Sequence, residues 1–500
     1  MAEIVEIATG FVWGAPTLLL ILGAGLFLSF RTGFAQIRLF PHALREFWSK
    51  LRCREETAGV SPFQALCTAL AATIGTGNIV GVAGAIALGG PGAVFWMWIS
   101  ALLGMMTKFA EATLAVHYRV RWNGEWIGGP MYMITHGLGE KWRFLAYIYC
   151  FFGVFAAFGV GNATQINAVI TGLGQVIVSY GGEVTLRKNL GIGLLLAVLL
   201  GTVLLGGSKR IGKAAQLLVP FAACGYLLLC LAVLVLRIDA LPGAIVSIFE
   251  GAFSPRAVTG GVVGSAFRVL RIGVSRGVFT NEAGMGTASI AHGSAQVDTP
   301  ARQGLMGIIE VFLDTIVICT MTALVILCSD VPIPYGKSVG AEMTAQAFSE
   351  VFGDWSSVVL TLALCCFAFA TVLGWGLYGV RCAQYLFGTS CWKLFALLQT
   401  AMVILSAVME TGLIWSLAEL VNGLMAIPNL IALVILSPQL RELTDKYRMY
   451  CGGTSADGGT YENFNQRKPL PALSYAKVPS LRAGSKKTGQ EDLSPEHRPA

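Results

Sequence analysis

Apolar runs long enough to cross a bilayer recur along this chain, separated by short charged segments, and that pattern leaves few folds open. A helix of about 20 apolar residues spans the hydrocarbon core because it satisfies its backbone N–H and C=O groups internally. Such runs lie near residues 11–30, 65–88, 92–117, 143–172, 190–207, 214–236, 258–291, 304–328, 356–386, 394–411 and 413–437. They predict an all-α polytopic membrane protein of about eleven transmembrane helices. Composition agrees, because 13% of the residues are charged where a soluble domain carries about 25%. The net charge of +7 does not signal a nucleic-acid partner, since the basic residues sit between apolar runs and read as topology signals.

Those basic residues also set an orientation. Arg31, Arg38, Arg45, Lys50, Arg52 and Arg54 follow the first run, Arg119, Arg121, Lys141 and Arg143 the third, and Lys209, Arg210 and Lys213 the fifth. The opposite side carries only Arg187, Lys188, Arg237, Arg256 and Lys337. The positive-inside rule then places the N-terminus outside and the C-terminus in the cytoplasm of a cell whose inner (plasma) membrane the chain spans several times. Four regions follow: 1–64, an extra N-terminal helix and a cytoplasmic loop; 65–237 and 238–440, two sets of five helices; and 441–500, a Gly-, Ser-, Pro- and Lys-rich tail that reads as disordered. Most of the cysteines lie inside apolar runs, as small buried hydrophobes do. No nucleophile–base pair, metal motif or phosphate-binding loop stands out, which argues against an enzyme and against a primary pump, and no bound cofactor is expected.

The second run is interrupted at its centre by Gly75-Thr76-Gly77-Asn78. Each glycine weakens a helix by about 1 kcal/mol relative to alanine. A helix that opens inside a membrane frees amides and carbonyls that need partners. An amino acid and a cation supply both kinds: the carboxylate takes N–H groups at one half-helix N-terminus, and the cation takes freed carbonyls of the other half. Asn78 adds a hard side-chain oxygen. The competing reading is that Gly75 and Gly77 only allow helices to approach closely. A second interruption is expected in 258–291, a polar stretch with Gly273 and Gly277 as candidate break points; Arg276 and Glu282, six apart, share a helix face only if the helix is interrupted, and both read as structural or gating residues. The breaks fall in the first and sixth spans after the N-terminal helix, the arrangement of a transporter with inverted repeats.

Other intramembrane polar residues are candidates for the same site. Asn162, Thr164, Gln165 and Asn167 cluster in one span, where Gln165 could bind a substrate or a neighbouring helix. Thr371 and Trp375 share a helical face, and Trp375 serves as a pocket wall or as packing. Asp314 is either a coupling residue or a partner for a neighbouring helix, and Lys108 and Glu111, three apart, are expected to pair.

The stretch Gly89-Gly90-Pro91-Gly92-Ala93-Val94-Phe95-Trp96-Met97-Trp98, with Gly75-Thr76-Gly77-Asn78-Ile79, Gly128-Gly129-Pro130-Met131-Tyr132, Asn281-Glu282-Ala283-Gly284 and Gly374-Trp375, resembles the alanine or glycine:cation symporter family, the sodium:alanine symporters, over roughly residues 10–440. The resemblance implies a LeuT-type five-plus-five inverted repeat with an added N-terminal helix, and import of alanine or glycine with sodium by alternating access. It implies that backbone groups of Thr76 and Gly77 hold the substrate carboxylate and that Gln165, Gly273 and Trp375 complete the pocket. For sodium it implies carbonyls near Ala71 and Ile74 with Thr371, and Thr73 and Asn78 for any second ion. The chain departs from the pattern at Ala370, where a hydroxyl is expected, and at Gly376, Leu377 and Val380, which bear on ion binding and on side-chain selectivity. Alternatives are a proton-coupled or uniporting relative, and an amino-acid sensor that does not transport.

Overall fold

The computed structural model describes residues 5, 8–10, 12–52, 59–122, 124–337, 339–409 and 412–452. Its first membrane helix, α1 (Ala15–Thr32), carries Pro16 in its first turn and is capped by Gly33 in the left-handed region. An amphipathic helix, α2 (Phe40–Arg52), follows. The next helix begins where Ser61 caps the amide of Gln64 at 3.1 Å and Pro62 fills the first turn. It is broken into α3 (Pro62–Thr73) and α4 (Val80–Gly89), which meet at 61°.

The Gly-Gly-Pro-Gly motif turns the chain into α5 (Gly92–His117). Gly90 takes φ 71°, and Pro91 precedes the first turn. A short antiparallel hairpin, β1 (Val120–Trp122) and β2 (Glu125–Ile127), leads on. Then come α6 (Arg143–Phe158), a π-helical segment at Gly159–Ala163, α7 (Thr164–Ser179), α8 (Leu186–Leu204), α9 (Gly207–Leu236) and α10 (Leu241–Phe253). A second broken helix follows as α11 (Ala266–Asn281) and α12 (Thr287–His292). Beyond it, α13 (Pro300–Val311) and α14 (Thr320–Cys328) are joined through a π-helical segment at Phe312–Cys319. The chain closes with α15 (Ala341–Phe352), α16 (Trp355–Phe387), α17 (Trp392–Ser406), α18 (Gly412–Ile435) and α19 (Ser437–Gly452).

Helix α5 is the central post, with α11 and α13 packed along it. Outward-facing Leu194 and Val198 on α8, and Leu217, Phe221 and Leu228 on α9, are more than half exposed. Apolar side chains on that scale outside the protein belong against lipid. Eight helices among the described residues are long and apolar enough to cross a membrane, or nine with the bent pair α3–α4 counted as one. The expected eleven is not reached by that measure. Helix α1 is shorter, and α11 carries Arg268, Arg271 and Arg276 and stops at the break.

Gly92 explains part of the turn motif. A Cβ there would lie 2.1 Å from the Gly251 backbone on α10, so the two helices cross backbone to backbone. Gly92→Ala is expected to destabilise the protein by about 1–3 kcal/mol through overpacking, read as a lower thermal midpoint in detergent. An unchanged midpoint would contradict this contact.

Two expectations need correction here. The tail does not lose structure at residue 441: α19 continues to Gly452 and packs on α1, α5 and α13, because Leu440, Thr444 and Tyr447 present one buried face. Residues 453–500 lie outside the described residues. Gly273 and Gly277 do not break a helix, since α11 runs through both. They are close-packing positions, where a Cβ would sit 2.3 Å from the Ala93 carbonyl and 2.1 Å from Ser100 Oγ. The break lies further on, at residues 282–286, where Glu282 takes φ 54° and Gly284 and Gly286 take 95° and 78°.

Candidate functional site

The first break is built by competition for one amide. The N–H of Gly75 donates to Asn78 Oδ1 at 2.9 Å, instead of to the carbonyl of Ala71 four residues back. A short 3-10 turn, Thr76–Asn78, then restarts the chain toward α4. The carbonyl of Ala71 thereby loses its helical donor. The carbonyl of Ile74 points across to α16, where Thr371 Oγ1 lies 3.4 Å away while donating to Phe367 O at 3.0 Å. One hydroxyl hydrogen cannot serve both carbonyls well. Oxygens gathered without enough hydrogens suit a hard cation such as sodium, which unwound backbone carbonyls bind in membrane helices. Gln165 joins this cluster: its Nε2 donates to Val160 O at 3.2 Å, while its buried Oε1 has no hydrogen-bond partner. Gln165 Oε1 and Thr371 Oγ1 both face Gly75, at 3.3 and 2.7 Å from where a Cβ would stand.

Beside the break lies a cavity of about 430 Å³. Its floor is Thr76 and Gly77, and α4 contributes Val80, Gly81 and Gly84. Asn167 and Thr171 of α7 and Phe279 of α11 face across, and Arg276 and Glu419 stand at the rim. Arg276 pairs with Glu419 of α18 at 3.5 Å, not with Glu282. The cavity thus has largely apolar walls with Asn167 and Thr171 among them, a broken-helix floor, and the charged side chains of Arg276, Glu419 and Glu342 in its lining, the composition of a small-molecule site.

The second break is closed by the protein itself. Glu111 Oε1 on α5 accepts the amides of Gly284 and Gly286 at 3.0 Å each and Asn429 Nδ2 at 2.8 Å. Glu282 accepts Thr287 Oγ1 at 2.6 Å and Trp375 Nε1 at 3.0 Å. Lys108 pairs with Glu310 at 2.9 Å rather than with Glu111, and Glu310 continues to His292 at 2.9 Å. The expected Lys108–Glu111 pair is therefore replaced by a contact between helices, and Arg276 and Glu282 each find partners on other elements, which side-chain spacing within one helix does not reveal.

The predicted residues sort as follows. Thr76 and Gly77 line the cavity. Ile74, Thr371 and Gln165 gather at the break behind it, and Ala71 lies in the last turn of α3. Asn78 is buried as a brace, its amide donating to Asp314 Oδ1 at 2.8 Å while its oxygen holds Gly75. Thr73 turns back onto Ala69 O at 3.3 Å, away from the cluster. Gly273 is packed against α5 and does not reach the cavity. Trp375 is sealed against Gly161 and Glu282, so it braces the second break rather than walling the cavity. Gly376, Leu377 and Val380 line a different cavity of about 520 Å³ with Leu204 and Phe395, so they do not touch the substrate space. Sequence reasoning missed Glu111 as the partner of the second break and Phe279 as a cavity wall. One signal was available: Gly284-Met285-Gly286 repeats the Gly-x-Gly spacing of Gly75-Thr76-Gly77.

Comparison with known proteins agrees with this architecture. The sequence profile of the sodium:alanine symporter family matches residues 1–454. The sodium/alanine symporter AgcS of Methanococcus maripaludis is 44% identical over 443 residues, 87% of this chain and 94% of that protein. The amino-acid carrier protein AlsT of Bacillus subtilis is 37% identical, over 87% of this chain and 90% of its own length. Among solved structures, MhsT in complex with L-phenylalanine superposes with a TM-score of 0.51 over 79% of this chain and 99% of its own, at 13% identity. That likeness bears on the fold alone, and the fold is the LeuT type. By its profile and its relatives, the chain belongs to the sodium:alanine symporter family.

Proposed function

We propose that this chain imports a small neutral amino acid, alanine or glycine, together with sodium across the inner membrane by alternating access. One observation carries the reading: a helix broken at Gly75 lays Thr76 and Gly77 on the floor of a cavity, with the Ile74 carbonyl and Thr371 hydroxyl gathered directly behind. The substrate carboxylate lies over the N-terminal end of the half-helix beginning at Thr76, where amides and helix dipole favour negative charge. Sodium sits behind it among the carbonyls of Ala71 and Ile74 and Thr371 Oγ1. A relative named for sodium and alanine at 44% identity supports the cargo.

In the orientation that the positive-inside rule favours, the Val339–Glu342 lining of the cavity lies outside and the cavity faces outward. At the other end of the two broken helices, the Gln296 amide donates to Val60 O at 2.9 Å and closes the cytoplasmic side. This is one half of an alternating-access cycle, and opening that inner contact gives the other half. Substrate and ion are coupled because both complete the same break.

The test is uptake of labelled alanine and glycine into proteoliposomes. Replacing sodium with choline at fixed pH is expected to abolish accumulation, and unchanged accumulation would refute the coupling. Thr371→Val is expected to raise the half-saturating sodium concentration about tenfold, the effect of about 1.4 kcal/mol of lost cation binding. Thr371→Ser keeps the oxygen and is expected to stay close to the parent. Equal effects of both substitutions would remove Thr371 from the ion site.

A second reading, proton coupling, is favoured by one feature. The carboxylates of Glu282 and Asp314 are buried and, among the described residues, receive hydrogen bonds from neutral groups: an indole and a hydroxyl in one case, an amide and a hydroxyl in the other. Accumulation driven by external acid without sodium would establish that reading instead.

A further inference from the structure

The two breaks are joined by a continuous chain of hydrogen bonds that the symport reading does not use. From the first break, the Gly75 amide donates to Asn78 Oδ1 at 2.9 Å, and Asn78 Nδ2 donates to Asp314 Oδ1 at 2.8 Å. From the second, the Ala283 amide donates to Asn281 Oδ1 at 3.0 Å, Asn281 Nδ2 to Thr315 Oγ1 at 3.1 Å, and Thr315 Oγ1 to Asp314 Oδ2 at 2.8 Å. Asn78, Asp314, Thr315 and Asn281 are each at most 1% exposed. Both arms begin at a backbone amide in a break, both donate inward, and both end on one carboxylate. An acceptor-only group is what two converging donor chains require.

The segment that carries this junction is built for it. Phe312–Cys319 is π-helical, a geometry that concentrates at functional sites. Here it sets Asp314 and Thr315, adjacent in sequence, toward different broken helices, and the Asp314 carbonyl also accepts from Asn78 Nδ2 at 3.2 Å.

We propose that Asp314 and Thr315 are positioning residues that tie the substrate-facing break to the second one, so that both broken helices change conformation as a single body. The proposal rests on the symport reading for its functional consequence, though the bridge itself is structural. The cavity takes its floor from Thr76 and Gly77 and a wall from Phe279 on the other broken helix. Occupation of the first break therefore has to be transmitted to the second before the inner contact at Val60 opens. A chain of buried hydrogen bonds between packed helices is a physical route for such coupling. Low local dielectric strengthens each link.

The experiment uses the full-length chain in proteoliposomes. Thr315→Val removes the hydroxyl and cuts only the second arm. Its sodium-driven alanine turnover is expected to fall about tenfold, while half-saturation in equilibrium alanine binding stays within about threefold, since coupling and not the pocket is lost. Thr315→Ser is expected to restore turnover. Asp314→Asn keeps an oxygen toward Asn78 and an N–H toward a reversed Thr315 hydroxyl, so it is expected to retain more turnover than Asp314→Ala. Turnover of Thr315→Val within about twofold of the parent would overturn the bridge. So would Asp314→Asn as inactive as Asp314→Ala alongside a normal Thr315→Val, which would make the carboxylate charge the functional feature.

Amide hydrogen exchange gives a readout independent of sodium. Residues 74–79 are expected to exchange faster in Thr315→Val, although the substitution touches the other arm, and unchanged exchange there counts against the bridge. If Thr315→Val does not accumulate in membranes, Thr315→Ser and Asp314→Asn decide: near-parental turnover in both supports the bridge, and loss in both overturns it. A parent with no sodium-driven uptake overturns the symport reading alone, and hydrogen exchange then still judges the bridge.

Discussion

Gly75→Ala is expected to abolish sodium-driven alanine uptake, lowering it about a hundredfold or more, because displacement of site groups by about 1 Å has effects of that size. The added methyl would stand 2.7 Å from Thr371 Oγ1 and 3.3 Å from Gln165 Oε1. It would fill the point where the Ile74 carbonyl and the Thr371 hydroxyl converge. The sign of φ does not demand glycine, since Gly75 has φ −150° and ψ −149°. The effect is therefore steric and local, and the protein is expected to reach the membrane and elute as folded material. Two measurements separate the outcomes. Uptake is expected to vanish, and the stabilisation of the parent by sodium in a thermal-shift assay is expected to vanish with it. Uptake near parental levels would show that the space in front of Gly75 is not used by cargo. Loss of uptake with sodium stabilisation intact would move the ion away from Thr371 and leave the amino acid there.

This substitution depends on a break that was legible in the sequence. Gly-Thr-Gly-Asn at the centre of an apolar run predicts an opening, and the helix does open there, with Asn78 as its brace. The repeated apolar runs were legible for the same reason: a bilayer forces a short list of solutions on the backbone. The second break was misplaced by about ten residues. Gly273 and Gly277 read locally as helix weakeners, yet their lack of side chains serves the contact with α5. No local rule distinguishes a glycine that breaks a helix from one that lets another helix approach.

The pairing of intramembrane charges was illegible for a related reason. Lys108 finds Glu310, 202 residues away, and Glu111 finds backbone amides at Gly284 and Gly286. Those partners exist only after helices assemble. The same holds for Trp375, whose indole is committed to Glu282. The general rule that intramembrane polar residues have partners identified the right residues. It could not say whether each partner was cargo or protein. The fold answers that with an asymmetry: the first break faces a cavity, and the second is filled from within.

That asymmetry makes Glu111→Ala the other substitution of large expected effect. A single carboxylate oxygen accepts two backbone amides and the Asn429 side chain. Truncation leaves the two buried backbone amides with no acceptor, and Asn429 Nδ2 with the Gly284 carbonyl alone, at 2.9 Å. At about 1–3 kcal/mol for each unsatisfied group, the loss of stability should be about 3 kcal/mol or more. It is read as a fall in the thermal midpoint of the detergent-purified protein and reduced accumulation in membranes. Glu111→Gln separates hydrogen bonding from charge. Its amide oxygen can still accept the two backbone amides, so most of the stability is expected to survive. A Gln variant as unstable as the Ala variant would show that the negative charge, set against Lys108 one turn away, holds the break closed. An Ala variant as stable as the parent would mean that the amides of Gly284 and Gly286 find other acceptors, and that the second break, like the first, is open to a ligand.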